Sequence, residues 1–127
     1  MKLNGDIKIS ETNKTLNDLI NSTTDSDWIY PELNSGWASQ YSAARTRYRK
    51  IGKIVFLESF VDGTAAASNI IFTLPEGFRP TSQYTRYIAY SANANYNIDI
   101  SQKGAVSVLN KNSAITWLAI NYCFVAD

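Results

Sequence analysis

Three features of this sequence predict an antiparallel all-β domain, a jelly-roll-like β-sandwich preceded by one short helix. Aromatic and β-branched residues dominate from Trp28 onward, turn signals punctuate them at short intervals, and helical periodicity is confined to the first two dozen residues. A chain of 127 residues with 45% hydrophobic and 13% aromatic content fits one domain with a real core. The expected organisation is an N-terminal connector over 1–27 and a head domain over 28–127.

The helical candidate runs from Ser10 to Ser22. Ser10 can cap it, Glu11 favours the positive end of the helix dipole, and Ile9, Leu16, Leu19 and Ile20 fall near one face. A segment this short is marginal as an isolated helix. Two readings stay open, a helix packed on its own domain and the end of an oligomeric stalk. Asn4 to Ile9 reads as the continuation of a longer chain.

The strands follow in order after the polar run Asn21 to Asp27. Trp28-Ile29-Tyr30 is a first short strand closed by Pro31, and Asn34-Ser35-Gly36 turns the chain into Trp37. Ala44 to Ile51 and Lys53 to Val61 make the clearest hairpin. Asn69 to Leu74 ends at Pro75; Glu76-Gly77 turns, and Phe78 can fold back as an apolar plug before Arg79-Pro80. Tyr84 to Ala92, Tyr96 to Ser101, Ala105 to Leu109 and Ala114 to Val125 complete the set. Seven or eight short strands at this spacing argue for a sandwich or jelly roll.

The hairpin has a definite expected register. With Ile51-Gly52 at the bend, Tyr48 faces Val55, Thr46 faces Leu57 and Arg45 faces Glu58. The second strand is apolar on both faces except at Glu58, so it is expected to be interior and covered on each side. Glu58 then needs a cation, and Arg45 is the expected ion-pair partner.

Composition excludes several chemistries. Histidine is absent and Cys123 is the only cysteine, so neither a histidine-dependent hydrolase triad nor an intramolecular disulfide is possible. Cys123, inside an apolar run, is expected to be a small buried hydrophobe. Carboxylates and one thiolate are poor zinc ligands; no metal or cofactor is expected. Twelve Lys and Arg against eleven Asp and Glu give no global field for nucleic acid or an acidic membrane. No run approaches the roughly 20 apolar residues of a membrane span, and the start lacks the apolar core of a signal peptide, so no membrane insertion is expected.

The order of landmarks resembles a known family. Tyr48-Arg49-Lys50-Ile51-Gly52, Ile54-Val55-Phe56-Leu57, Ile71 to Pro75, Gly77-Phe78-Arg79-Pro80 and Trp117 to Tyr122 look like the C-terminal head domain of bacteriophage tail fibre and receptor-binding proteins, especially those of phages with Gram-positive hosts. The resemblance spans Trp28 to Val125. It implies a jelly-roll-like head at the tip of a tail fibre or baseplate in the virion, made in the host cytoplasm. It also implies a homotrimer joined to upstream fibre or baseplate proteins, which attaches to a cell-surface carbohydrate or teichoic acid without catalysis. One departure is Glu58, where such heads commonly carry glycine; it bears on how closely the sheets approach there.

Sugar recognition combines aromatic faces with planar polar side chains. Two stretches have that composition, giving Trp37 and Tyr41 in the first and Tyr84, Arg86, Tyr87, Tyr90, Asn95 and Tyr96 in the second, with Asn93 between. Trp37, flanked by Gly36 and Ala38, is the expected exposed tryptophan, while Trp28 and Trp117 suit the core. Alternation puts Tyr84, Arg86, Ile88 and Tyr90 on one face and Thr85, Tyr87 and Ala89 on the other, with Ile88 favouring its own face as the buried one. Ordinary packing competes with a saccharide platform for these tyrosines. Arg45, Arg47 and Arg49 share a face and read as an anion-binding strip, as a charged edge or as an inter-subunit set of ion pairs. The rival function is a polysaccharide hydrolase using Asp25 and Asp27, or Glu58 and Asp62, as its two carboxylates. A purely structural fibre-tip module is the third reading. Because Tyr48 to Pro80 is accounted for as scaffold, receptor contacts are expected outside it.

Overall fold

The computed structural model describes residues 8–9, 14–15, 24–92, 94–111 and 114–126. Among these residues the chain forms β1 (Lys8–Ile9), β2 (Lys14–Thr15), β3 (Ala38–Ser39), β4 (Arg47–Ile51), β5 (Ile54–Gly63), β6 (Ile70–Thr73), β7 (Arg86–Tyr90), β8 (Asn95–Ile100), β9 (Ala105–Val108) and β10 (Ile115–Val125). β1 and β2 pair with each other. The expected helix over 10–22 lies otherwise outside the described residues, and its described part, Lys14–Thr15, is extended rather than helical.

The remaining eight strands make one antiparallel sheet in the order β3-β5-β10-β7-β8-β9-β6, with β4 sharing the β3 edge of β5. The sheet curls into a half-barrel, so its flanks face each other across the core as the layers of a sandwich do. At the β6 edge, Asn34 donates its backbone N–H to Ile71 (2.8 Å) and its amide to Ile70 (3.0 Å). Tyr48 of β4 stacks on Phe72 of β6 at 6.5 Å between centroids, and Phe78 folds back edge-on to Tyr48. The core is the concave side, filled by alternate residues: Val55, Leu57 and Val61 from β5, Ile98 and Ile100 from β8, Val106 and Val108 from β9, Leu118, Ile120 and Phe124 from β10.

The β4–β5 hairpin is displaced from its expected register. Its loop is Gly52-Lys53, Ile51 pairs with Ile54, and Arg47 rather than Arg45 lies opposite Glu58. Gly52 adopts φ 60°, the left-handed conformation needed at the first position of a type II′ turn and disfavoured for a β-branched Ile51. The bend therefore starts on the glycine. Tyr48 now faces Leu57, and the hydroxyls of Thr46 and Ser59 pair at 2.8 Å inside the core. A shift of two residues changes partners and leaves each side chain on its face.

β5 is interior in the sheet, but among the described residues only one of its faces is covered by the core. Val55, Leu57, Ser59 and Val61 are buried, whereas Phe56 is 39% exposed and Ile54, Glu58, Phe60 and Asp62 are half-buried on the outer side. Glu58 thus points outward, away from the core. β4 is not an open edge either: Thr24, Ser26 and Ile29 make backbone hydrogen bonds along it.

The tryptophans reverse the expected order. Trp37 is 5% exposed; its indole N–H donates to the Ser68 carbonyl at 2.9 Å and its ring lies against Gly63. A Cβ on Gly63 would meet that ring at 2.4 Å, so this residue must be glycine while Trp37 stays where it is. Trp28 and Trp117 are half-buried. Cys123 is exposed, because it falls on the outward side of β10 opposite Phe56.

β7 and β10 meet at a single pair, Ala119 and Tyr90, and then diverge. Two stacked tyrosines bridge the gap, with rings 3.9 Å apart. The Tyr87 hydroxyl donates to the Cys123 carbonyl at 2.6 Å, and the Tyr122 hydroxyl donates to the carbonyl of Ile88. Burial raises the pKa of both phenols, keeping them protonated as donors. Tyr87 therefore faces in with Ala89, and Ile88 faces out at 59% exposure, opposite to its expected side.

Candidate functional site

The outer side of the curled sheet carries a groove of about 630 Å³. Its floor is the outward face of β5 and β10, where Glu58 lies opposite Asn121 and Phe60 opposite Ala119. One wall is the 42–45 loop, and Tyr30 and Arg45 form the lip. Both elements are held by backbone bonds: Gln40 N–H donates to Phe60 (2.8 Å), Ala44 N–H to Tyr41 (3.0 Å), and Ile29 exchanges two bonds with Tyr48.

An aromatic cluster flanks the groove. Phe60 stands 5.7 Å from Tyr41 and 5.7 Å from Trp117, tilted and edge-on respectively. The arginines interleave with aromatics on the other side: Arg45 lies over Tyr30 (4.3 Å), Arg47 over Trp28 (3.9 Å) and Arg49 near the same ring (5.8 Å).

The charges differ in how fully they are engaged. Arg47 bonds Glu58 through Nε at 2.9 Å and Nη2 at 2.8 Å, and this bond, with help from the Tyr30 hydroxyl, raises the guanidinium's pKa further. Glu58 thus has its cation, two residues along from the expected Arg45. Arg49 pairs with Asp25, whose carboxyl that hydrogen bond holds down at about 2, with the Asp27 backbone N–H adding to it. Arg45 forms no ion pair among the described residues. The expected arginine strip exists, but two of its members are neutralised.

The structure divides the residues read from the sequence as ligand-binding. Tyr41 is 61% exposed beside Phe60. Tyr84, Arg86, Tyr90 and Asn95 lie exposed on the outward face of β7 and β8 and the chain leading into it, with Arg86 3.5 Å from Asp99. Tyr84, Arg86 and Tyr87 also line a shallower opening of about 410 Å³ in the β7–β10 gap, with Phe124 and Val125. Trp37 is buried, and Tyr87 and Tyr96 are half-buried against the core.

As groove residues, Tyr30, Ser42, Phe60, Ala119 and Asn121 were not singled out from the sequence, and Arg47 was read there only as part of an arginine strip. The available signal was alternation: Phe60 and Asn121 sit out of phase with the buried residues of their strands. The groove also draws Glu58 to Phe60 from a stretch where receptor contacts were not expected.

Chemically, the groove offers an aromatic floor, a carboxylate and guanidinium held in a fixed pair, an amide and hydroxyls. That donor and acceptor set suits a polyhydroxylated ligand. Among the described residues no three of Cys, Asp and Glu converge as metal ligands do.

The fold and the groove together define a class, a curled antiparallel β-sheet module with an open polar-aromatic recess on its outer side. A solved structure that it resembles is the receptor binding protein (gp15) of Listeria phage PSA, with TM-score 0.61 and 20% identity over 85% of this chain and 70% of that chain. The chain therefore has the fold of a phage receptor-binding protein. No protein-family model matches it, and no curated protein does.

Proposed function

We propose that this chain is the receptor-binding head of a phage tail, which attaches the virion to a saccharide or teichoic acid on the host surface without cleaving it. Residues 28–127 are the jelly-roll-like head and 1–27 the connector toward upstream fibre or baseplate proteins, and the head works as a homotrimer at the tail tip. The observation that carries this reading is the groove itself, in which Phe60, Tyr30, Asn121 and the Arg47–Glu58 pair surround one recess. The fold likeness supplies the setting.

A non-catalytic role is favoured by the state of the carboxylates. A glycosidase needs a general acid with raised pKa. Asp25 and Asp62 are both displaced downward, Asp25 chiefly by Arg49 and Asp62 by hydrogen bonds from Thr64, and Glu58 is tied to Arg47. Glu58 and Asp62 stand four residues apart on one strand face, roughly 13 Å between Cα atoms. Binding through three shallow sites per fibre gives stable adsorption by effective concentration.

The test is retention of fluorescently labelled protein on a panel of Gram-positive cells, with Phe60→Ala and Asn121→Ala alongside. The expected result is retention on a subset of strains, lowered at least about tenfold by each substitution, with no new reducing ends from the bound walls. Retention by no strain overturns the receptor reading, and sustained release of reducing ends overturns its non-catalytic part.

A further inference from the structure

Ala119 connects the groove to the exposed face of β7 and β8. It lies opposite Phe60 on one side and opposite Tyr90 on the other, and Tyr90 in turn lies opposite Asn95. Residues directly opposite one another in an antiparallel sheet share a face. Phe60, Ala119, Tyr90 and Asn95 therefore form one row across four adjacent strands, spanning three strand spacings or roughly 14 Å.

The profile of that row is uneven in an informative way. Phe60 and Tyr90 are large and aromatic, while Ala119 between them presents only a methyl group, and among the described residues no side chain of β7 walls the groove. Beyond that low point Tyr90 is 66% exposed and Asn95 is exposed. An aromatic face followed by an amide repeats the chemistry of Phe60 and Asn121 inside the groove. A pocket that accepts a single terminal unit is closed at its far end; this one runs out onto a second set of the same groups.

We infer that the groove takes an extended glycan chain, laid across the strands over Ala119 so that Tyr90 and Asn95 hold units beyond the one seated on Phe60. This rests on the receptor-binding reading and adds to it. Ala119 is the specificity-determining residue, because its small size lets the chain pass. The receptor is read along an internal stretch of polymer, and one protomer gains affinity with ligand length.

The experiment uses the whole protein and the wall polysaccharide of a bacterium that retains it, partially hydrolysed and separated by size. Calorimetry on each fraction is expected to show affinity rising at least about tenfold from single repeat units to fragments of several units. Tyr90→Ser and Ala119→Leu are each expected to remove most of that gain, whereas Phe60→Ala weakens fragments of every length. Circular dichroism and the oligomeric state of each variant are measured in parallel. Affinity independent of length, or a length gain that survives both substitutions, overturns this inference alone. A change of oligomeric state in Tyr90→Ser also overturns it, since the row would then belong to an interface between copies. Absence of binding by any fraction overturns the receptor reading with it.

Discussion

The buried hydroxyl pair of Thr46 and Ser59 provides a sharp test of the hairpin register. Thr46 is 2% exposed and Ser59 6%, and their oxygens are 2.8 Å apart. Thr46→Val keeps the shape and leaves Ser59 with an unmet hydroxyl, and Ser59→Ala does the converse. Each single change is expected to cost about 1–3 kcal/mol, the penalty of one buried polar group without a partner. For a chain of this size that lowers Tm by roughly 3–5 °C per kcal/mol. The double variant removes both polar groups at once, so it is expected to be no less stable than either single one, giving a coupling of about 1 kcal/mol or more. Urea denaturation of the four proteins measures it. In the register expected from the sequence Thr46 faces Leu57 and no coupling arises. Additivity to within about 0.5 kcal/mol would refute the observed pairing.

Gly63→Ala is expected to destabilise by about 1–3 kcal/mol and to shift tryptophan emission, because the new methyl must displace the Trp37 ring; an unchanged Tm contradicts this. Asp25, with its folded pKa lowered from 3.8 to about 2, contributes stability that is present above pH ~4 and is lost as pH falls toward ~2. Thermal melts across that interval should show wild type losing more stability than Asp25→Asn, and equal losses would remove the Arg49 pair from the account. Gln40 Oε1 is buried with no partner among the described residues, so Gln40→Met is expected to be neutral or stabilising by up to about 1 kcal/mol. A comparable loss would mean that the oxygen is bonded.

Strand positions were legible because alternation and turn residues are local. Every expected strand from Ala44 onward has its counterpart within a few residues. What failed were properties set by the rest of the molecule. Ile88 faces outward because Tyr87 must face in to stack on Tyr122 and bond Cys123, a constraint from a distant strand. Trp37 is buried because Gly63, far along the chain, leaves room for its ring. The register error came from placing a β-branched residue where Gly52 takes a positive φ, which turn chemistry could have corrected.

The same division applies to the candidate site. Of the residues read from composition as ligand-binding, Tyr41, Tyr84, Arg86, Tyr90 and Asn95 are exposed. The groove was not, since it depends on β5 and β10 being neighbours, and Phe60 and Asn121 meet only through that pairing.

The most direct test of the account is a crystal structure of the assembled protein soaked with wall fragments from a bacterium that retains it. The account predicts glycan density on Phe60 between Tyr30 and Asn121, continuing over Ala119 toward Tyr90. Ordered glycan elsewhere, with this groove empty, would contradict it.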